Sequence, residues 1–484
     1  MPEMPTNYKY GGGANASLLH PVIAVLMLLA IICILVLPRK YVTLPLLWTV
    51  LLVPVSQQVY LAGVHLYVLR IVILFGIIRV FTSRRGPDGR LLPGGLNSID
   101  TAFLVCMFAQ TISVVLLFRE WQAVINQVSF IWDWVGGYLV VRWAVQDEQD
   151  VYRSLKYLAV LLVPVAVAMA VEQLRMFNLF SVFGGIPAVP EVRFGKIRSA
   201  GVFEHPIIAG TISAVIVPLF FILWKNGKSK FLSSIGILSA TIMMWTANSS
   251  TCLFAYMAGI FAVSIWRLRK SMRMVRWGIA LGLIGLDMVM KAPVWFLISR
   301  VDLAGGSSSY HRAELINEFV NHFRDWWLIG VSNSAAWGLD MWDVQNQYVN
   351  VGEAGGLLAF VFLIVLISRA FGRIGDARKI VDGDKPQEWV LWCLGASLFA
   401  NVVAFFGVNY FDQSRILWFL SIAMISAVTA SLPQLQDAKV PATSVVSVNN
   451  EVSFAPAPQV SPVAPKPFSP TKARQLARPG QPVH

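Results

Sequence analysis

The chain has 484 residues, of which 56% are apolar and only 13% are charged. Soluble domains average about 45–50% apolar and about 25% charged residues, so this composition excludes an ordinary soluble protein. The formal net charge of +13 is spread over polar loops and does not indicate nucleic-acid binding. The four cysteines fall within apolar runs and show no disulfide or metal-ligand spacing.

Repeated apolar runs of about 20 residues predict an all-α polytopic membrane protein with twelve or thirteen transmembrane helices. Run 41–61 contains Pro45 and Pro54, so it is a candidate for a broken or re-entrant segment. The short run 276–290 is the other candidate. The candidate spans are residues 18–37, 41–61, 64–82, 99–118, 128–145, 155–171, 206–224, 231–247, 250–266, 276–290, 353–369, 389–408 and 415–431.

Lys and Arg residues orient these spans. If the spans alternate, the six loops that hold most of the basic residues fall on one side, which is therefore cytoplasmic. These loops are Arg39–Lys40, Arg84–Arg90, Arg142–Lys156, Lys225–Lys230, Arg267–Arg276 and Arg369–Lys385. The orientation predicts that loops 172–205 and 291–352 lie on the opposite, outer side of the membrane.

These two outer loops carry basic residues against the orientation rule. Two interpretations stay open: ion pairs with nearby glutamates or contacts with lipid headgroups, or an anion site on this face. The concentration of the set in two loops favours the anion site. The residues are Arg175, Arg193, Lys196, Arg198, Lys291, Arg300, Arg312 and Arg324.

The long polar segment from Lys291 to Gly356 is the part most expected to support chemistry. Its apolar spacing predicts an amphipathic helix over 311–327, with Ser308 or Ser309 as N-cap and Gly330 as the stop.

Farther along this segment stand Asp343, Asn346, Asn350 and Glu353, at steps of three, four and three. On one helix these four residues would share a face. They would either line a cavity or lie in the solvated first turns of a helix, where acidic side chains interact favourably with the helix dipole.

Few charges lie inside the spans, and each is a functional candidate. Arg70 could bind an anion or form a buried pair with Asp133. His205 and His311, at span boundaries, are expected first to be structural hydrogen-bonding groups. Residues 432–484 are rich in proline and predict a disordered cytoplasmic tail after a membrane domain at 1–431.

Three motifs resemble the O-antigen ligase and O-antigen polymerase superfamily. They are RSAGVFEHPIIAG from Arg198, YHRAELINEFVNHFRDWW from Tyr310, and NQYVNVGEAGG from Asn346. The ending DQSRILWFLSIAM suits the last span of that family. The resemblance covers roughly 155–430, and it rests on the order of the motifs and their positions on the outer face.

The resemblance implies a GT-C type membrane glycosyltransferase without metal or cofactor. Such enzymes lie in the bacterial inner membrane and transfer a glycan from an undecaprenyl diphosphate carrier to an acceptor glycan at the periplasmic face, among membrane lipids. The resemblance therefore implies that loops 172–205 and 291–352 face the periplasm. Chain-length regulators and export proteins are further candidate partners. In the family's ligases two arginines hold the donor diphosphate, at positions that resemble Arg198 and Arg312.

The family's ligases also carry a histidine near the Asn-x-Tyr segment, where this chain has Asp343. The departure favours a polymerase for O-antigen or exopolysaccharide over a ligase, with Asp343 or His311 as candidate base. A transporter or lipid-linked glycan flippase is the alternative from another class, and a scaffold protein is a third. Further candidates for substrate binding are His205, Asn346, Asn350, Glu353 and Arg70.

Overall fold

A computed structural model describes residues 16–61, 64–83, 91–92, 94–227, 229–300 and 309–439. The described chain is mostly helical. The helices are α1 (Pro21–Val36), α2 (Thr43–Leu52), α3 (Val68–Thr82), α4 (Ser98–Phe118), α5 (Trp121–Ile131), α6 (Gly137–Ala144), α7 (Glu148–Arg175), α8 (Pro206–Lys225), α9 (Lys230–Thr246), α10 (Ser250–Ser264), α11 (Met272–Val289), α12 (Ser309–Asn321), α13 (Phe323–Trp326), α14 (Gln347–Ile380), α15 (Lys385–Ala404) and α16 (Ser414–Lys439).

Two antiparallel hairpins interrupt the helices. They pair β1 (Gln58–Leu61) with β2 (Val64–Tyr67), and β3 (Glu191–Arg193) with β4 (Lys196–Arg198). Short 3₁₀ turns lie at Arg39–Tyr41, Leu179–Phe183, Ile265–Ser271, Val294–Arg300 and Ala335–Trp337.

Five helical segments of the described chain are long and apolar enough to cross a membrane. These are Ser98–Phe118, Glu148–Arg175, Pro206–Lys225, Ser250–Val289 and Gln347–Ile380. Three shorter apolar helices are Pro21–Val36, Lys230–Thr246 and Ser414–Ala430. The architecture is consistent with the predicted all-α membrane protein, and the number of twelve or thirteen spans stays a prediction.

Helix α8 lies at the centre of the core. All but three of its residues are buried, and it packs against α9, α10 and α15, while α14 packs along α4. A helix that is apolar all round is stable only where other helices cover it. This burial fixes the N-terminal end of α8, where the candidate site lies.

The run 41–61 is broken, one of the alternatives that the prolines predict. Helix α2 ends at Leu52, and the chain continues through Pro54 to the β1–β2 hairpin. The buried Gln57 holds this break: its Nε2 donates to the carbonyls of Phe183 (2.8 Å) and Gly184 (2.9 Å). Its Oε1 accepts from the backbone N–H of His20 at 2.8 Å, so the side chain ties the break to the start of α1 and to the turn at Phe183 and Gly184.

The helix predicted over 311–327 forms as two pieces. Helix α12 begins at Ser309 and ends at Asn321, and α13 follows after His322. Ser308 lies outside the described residues. Trp326 folds back onto α12: its ring stacks on Phe319 at 3.9 Å and its Nε1 donates to the Phe319 carbonyl at 2.7 Å. The break lets these aromatic side chains form a small core with the start of α14.

The prediction that Asp343, Asn346, Asn350 and Glu353 share one helical face is wrong. Helix α14 begins only at Gln347, because the Asn346 side chain caps it by accepting from the N–H groups of Tyr348 and Val349. Asp343 therefore lies in the turn before the helix.

Helix α14 also kinks at Gly356, where φ is +66°. The strap Trp327–Val331 lies against the kink: the Val331 N–H donates to the Glu353 carbonyl (2.9 Å), and Leu357 N–H donates to the Trp327 carbonyl (2.8 Å). A Cβ on Gly330 would stand 2.0 Å from the Glu353 carbonyl oxygen, so this approach requires glycine.

Helix α16 ends at Lys439, beyond the predicted start of the tail at residue 432. The rest of the predicted tail, 440–484, lies outside the described residues.

Candidate functional site

A cavity of about 1430 Å³ lies where the N-terminal ends of α3, α8, α14 and α16 meet. If the predicted spans alternate, all four of these ends lie on the same, outer side. The charged and polar residues around the cavity include Arg70, Asp133, Glu204, His205, Asp343, Asn350, Glu353, Asp412 and Arg415.

The structure brings five of the predicted site residues to this cavity, namely Arg70, His205, Asp343, Asn350 and Glu353. Four others do not line it. Asn346 is fully buried and its side chain caps α14. Arg198, Arg312 and His311 lie beside the cavity, as the contacts below show.

Arg312 is a buried cation that forms no salt bridge with a described carboxylate, although the charge of Asp343 acts on it. Only 7% of the residue is exposed, its Nε has no hydrogen-bond partner, and within the described ranges no carboxylate pairs with it. Burial, together with the charges of Arg193 and Arg198, lowers the pKa of Arg312 to about 10. The guanidinium therefore stays charged at neutral pH, and an anion bound beside it would offset the cost of its burial.

Arg198 is the second buried arginine, with 5% of the residue exposed. Its Nη1 donates to Glu191 Oε1 at 2.8 Å across the β3–β4 pair. The strand is fixed to the α9–α10 corner, because Asn248 Nδ2 donates to the Ile197 carbonyl at 2.6 Å. Ion pairing with a glutamate, one of the two interpretations of these arginines, thus applies to Arg198 but not to Arg312.

Two helix N-termini meet at this corner. The Cys252 thiol, in the first turn of α10, donates to the Ile207 carbonyl in the first turn of α8 at 3.4 Å. The hydrogen bond from Asn248 to Ile197 holds the neighbouring Arg198 at this corner, and the charges of Arg198 and Arg312 both act on Cys252. Helix N-termini attract anions. We call Arg198, Arg312 and the first turns of α8 and α10 the anion corner.

His205 connects the anion corner to the cavity. Its Nδ1 accepts from the Ile207 N–H at 3.2 Å and caps α8, which is the structural role expected of it. Its Nε2 lies 3.8 Å from the Glu191 carboxylate that holds Arg198. Partial burial and the charge of Arg198 lower its pKa, so the ring is neutral at pH 7.

Asp343 and His311 meet at the edge of the cavity. The His311 ring Nε2 lies 3.3 Å from the Asp343 backbone carbonyl. The Asp343 carboxylate accepts from Gln345 Nε2 at 2.5 Å, and its charge acts on both Arg312 and His205. The candidate base thus lies between the cavity and the anion corner.

Glu353 enters the cavity from the kinked start of α14. Its Oε1 is buried without a hydrogen-bond partner, while its backbone carbonyl accepts from Val331 in the strap. A buried carboxylate oxygen without a donor is costly, so a ligand hydroxyl would be a favourable partner for it.

Arg70 forms a buried ion pair with Asp133, one of the two roles that the sequence left open for it. It binds Asp133 through two hydrogen bonds, and Arg415 Nη1 lies 3.6 Å from the same carboxylate. Asp133 stands in a π-helical turn, Trp132–Gly136, a distortion often found at functional sites. A role for Arg70 in substrate binding stays a prediction.

Sequence reasoning missed Glu204, Asp412 and Arg415, which also line the cavity. Asp412 has φ of +48°, and burial raises its pKa to about 7, aided by the charges of Glu204 and Asp133. Two signals could have found these residues: Glu204 stands next to His205, and Asp412 and Arg415 open the last apolar run.

No protein-family model matches the chain, and no curated protein matches it. The resemblance described above therefore depends on the three motifs and their order.

Proposed function

We propose that the chain is a membrane glycosyltransferase that polymerises undecaprenyl-diphosphate-linked oligosaccharides at the periplasmic face, for O-antigen or exopolysaccharide. One observation carries the proposal: the buried Arg312 has no salt-bridge partner among the described residues, the charge of Arg198 acts on it, and the neighbouring His311 contacts Asp343 at a large cavity that contains several carboxylates.

The anion corner suits a diphosphate. Guanidinium groups bind phosphate oxygens through two parallel hydrogen bonds and keep their charge at neutral pH. When the bond from the sugar to the diphosphate breaks, negative charge grows on the leaving oxygen. A fixed pair of arginines stabilises this charge more than it stabilises the bound donor, which is what lowers the barrier.

The acceptor hydroxyl oxygen would attack the anomeric carbon of the donor sugar. The bond from that carbon to the diphosphate oxygen breaks, and its electron pair leaves with the diphosphate. The hydroxyl proton passes to a carboxylate, for which Asp343 is the candidate because it lines the cavity and stands where the ligases of the resembled family carry a histidine. Glu353 is its rival on the same cavity.

The size of the cavity supports a reaction between two glycans. Ligand sites for small molecules measure about 300–1,000 Å³, and this cavity measures about 1430 Å³. Tyr60, Tyr67 and Trp342 also line it and offer aromatic faces to sugars.

An O-antigen ligase is the second candidate, and His311 is the observation that favours it. No histidine stands next to the Asn-x-Tyr segment in sequence, but the His311 ring lies 3.3 Å from the Asp343 carbonyl. A histidine from α12 could therefore take the part that the family's ligases give to a histidine near α14.

A complementation assay tests the proposal. In a bacterial strain that lacks its polymerase and accumulates lipid-linked repeat units, the wild-type chain should clear these units and restore long polymer, whereas Arg312→Ala should not. Transfer of the glycan in one step, without growth in length, would favour the ligase. Accumulation that the wild-type chain leaves unchanged would contradict the proposal.

A further inference from the structure

The β3–β4 hairpin has two chemically different faces. Glu191 lies opposite Arg198 and Arg193 opposite Lys196, so these four charged residues share one face. Val192 lies opposite Ile197 on the other face. The charged face belongs to the anion corner, because it carries Arg198 and because the charge of Arg193 acts on Arg312.

The tip of this hairpin has an unusual residue. Phe194 and Gly195 both have positive φ, +49° and +73°, the pattern of a type I′ turn. Asn or Gly normally stands at the first of these positions, because a bulky side chain is strained there. Nevertheless the chain has a phenylalanine, and 68% of it is exposed. Packing within the described chain therefore does not explain this residue.

Further apolar side chains are exposed in the hairpin and in the segment that leads into it. Val192 is 53% exposed on the apolar face, and the segment between α7 and the hairpin carries the exposed Phe177, Leu179, Val182 and Val189. The Arg193 guanidinium lies 5.5 Å from the centre of the Phe194 ring. An exposed aromatic residue with a cation beside it is the combination that membrane interfaces favour.

We propose that the β3–β4 hairpin inserts Phe194 and Val192 into the apolar layer of the bilayer and thereby holds its charged face at the level of the lipid phosphates. The anion corner then takes its ligand laterally from the membrane. It selects a diphosphate attached to a lipid over a soluble diphosphate. This inference deepens the proposed function, since it names the route by which a lipid-linked donor reaches the anion corner. It rests on the proposed function only for the identity of that donor.

Position-specific labels test the insertion. In a Cys33→Ser background, which leaves only buried cysteines among the natural ones, Phe194→Cys and Lys196→Cys would each carry an environment-sensitive fluorophore in the full chain, reconstituted in nanodiscs. Nitroxides on the lipid acyl chains should quench the label at 194 at least several-fold more than the label at 196, which iodide should quench instead. Equal access of iodide to both labels would overturn the proposal.

A second variant tests the loading of the site. Phe194→Asn suits the type I′ turn, so the hairpin should keep its fold while it loses its apolar tip. Half-maximal thermal stabilisation by undecaprenyl diphosphate should require at least about tenfold more ligand than in the wild type, as expected when several buried methylene-sized groups are lost. The response to inorganic pyrophosphate should be equal in both. An unchanged response to undecaprenyl diphosphate would also overturn the proposal.

Neither measurement depends on sugar transfer. If the chain shows both effects but transfers no glycan, the proposed function fails and the membrane-facing anion site stands. If the chain transfers glycan but Phe194→Asn behaves as wild type, only the hairpin proposal fails.

Discussion

Asp133 accepts two hydrogen bonds from Arg70, from Nε to Oδ1 at 3.0 Å and from Nη2 to Oδ2 at 2.6 Å. Arg415 approaches the same carboxylate at 3.6 Å, and all three side chains are less than one fifth exposed. The carboxylate is therefore shared by two arginines from two helices at the wall of the cavity.

Removal of the carboxylate should cost more stability than removal of either arginine. Asp133→Asn removes the carboxylate that Arg70 and Arg415 share and leaves the largely buried Arg70 without its ion-pair partner, which should cost about 3–5 kcal/mol. Arg70→Met should cost less, because Arg415 still pairs with Asp133. Thermal unfolding in detergent measures both variants. Equal losses would mean that Arg415 does not share the carboxylate.

Asp343 and Glu353 line the same cavity, and each is a candidate for the base. Asp343→Asn is nearly isosteric but cannot accept a proton, so it should lose most of the transfer activity while donor binding survives. Glu353→Gln should lose less. Product length and accumulation of the lipid-linked donor measure both. An active Asp343→Asn enzyme would exclude Asp343 as the base, and His311 would then be the next candidate.

The pKa of Asp412 predicts how stability depends on pH. Burial raises this pKa to about 7, whereas an unfolded chain has about 3.9. Because the native state binds the proton more tightly, the free energy of unfolding should fall as pH rises from about 4 to about 7.

Asp412→Asn should remove this pH dependence, and asparagine tolerates the left-handed backbone at this position. The melting temperature at pH 5 and pH 8 measures the effect. Asp376→Asn, at an exposed site paired with Lys379, is the control that should behave as wild type. An equal slope in Asp412→Asn and wild type would contradict the assignment.

The orientation of the chain predicts which sites react from outside. A cysteine at Asp325, exposed in α13, should react with a membrane-impermeant thiol reagent in spheroplasts, and a cysteine at the exposed Lys230 should not. Reaction at position 230 alone would invert the topology and remove the periplasmic mechanism.

Most of the helices could be predicted from the sequence, because long apolar runs dictate helices wherever backbone groups lack water. The break near Pro54 was foreseeable as well. The residue at which α14 begins could not be predicted. Residue spacing alone does not show that Asn346 caps the helix and so excludes Asp343 from it.

The site was predicted in part. Motifs and polar spacing singled out Asp343, Asn350 and Glu353, which do line one cavity. They could not reveal that Glu191 pairs with Arg198 whereas Arg312 stays unpaired, because that depends on which strands lie side by side. They also missed Asp412 and Arg415, which come to the cavity only through the packing of α16.

The most direct test of the account is the rate of glycan transfer by Arg312→Ala. Loss of this charged contact at a buried site should raise the barrier by about 2–4 kcal/mol, which lowers the rate roughly a hundredfold or more. Arg312→Lys should also be slow, because a point charge does not replace the planar guanidinium. Arg324→Ala, an exposed arginine of the same loop, should transfer normally. Purified variants in nanodiscs, with an undecaprenyl-diphosphate-linked donor, should show this order at unchanged melting temperature, whereas wild-type rates in Arg312→Ala would contradict the central claim that this cation binds the donor diphosphate.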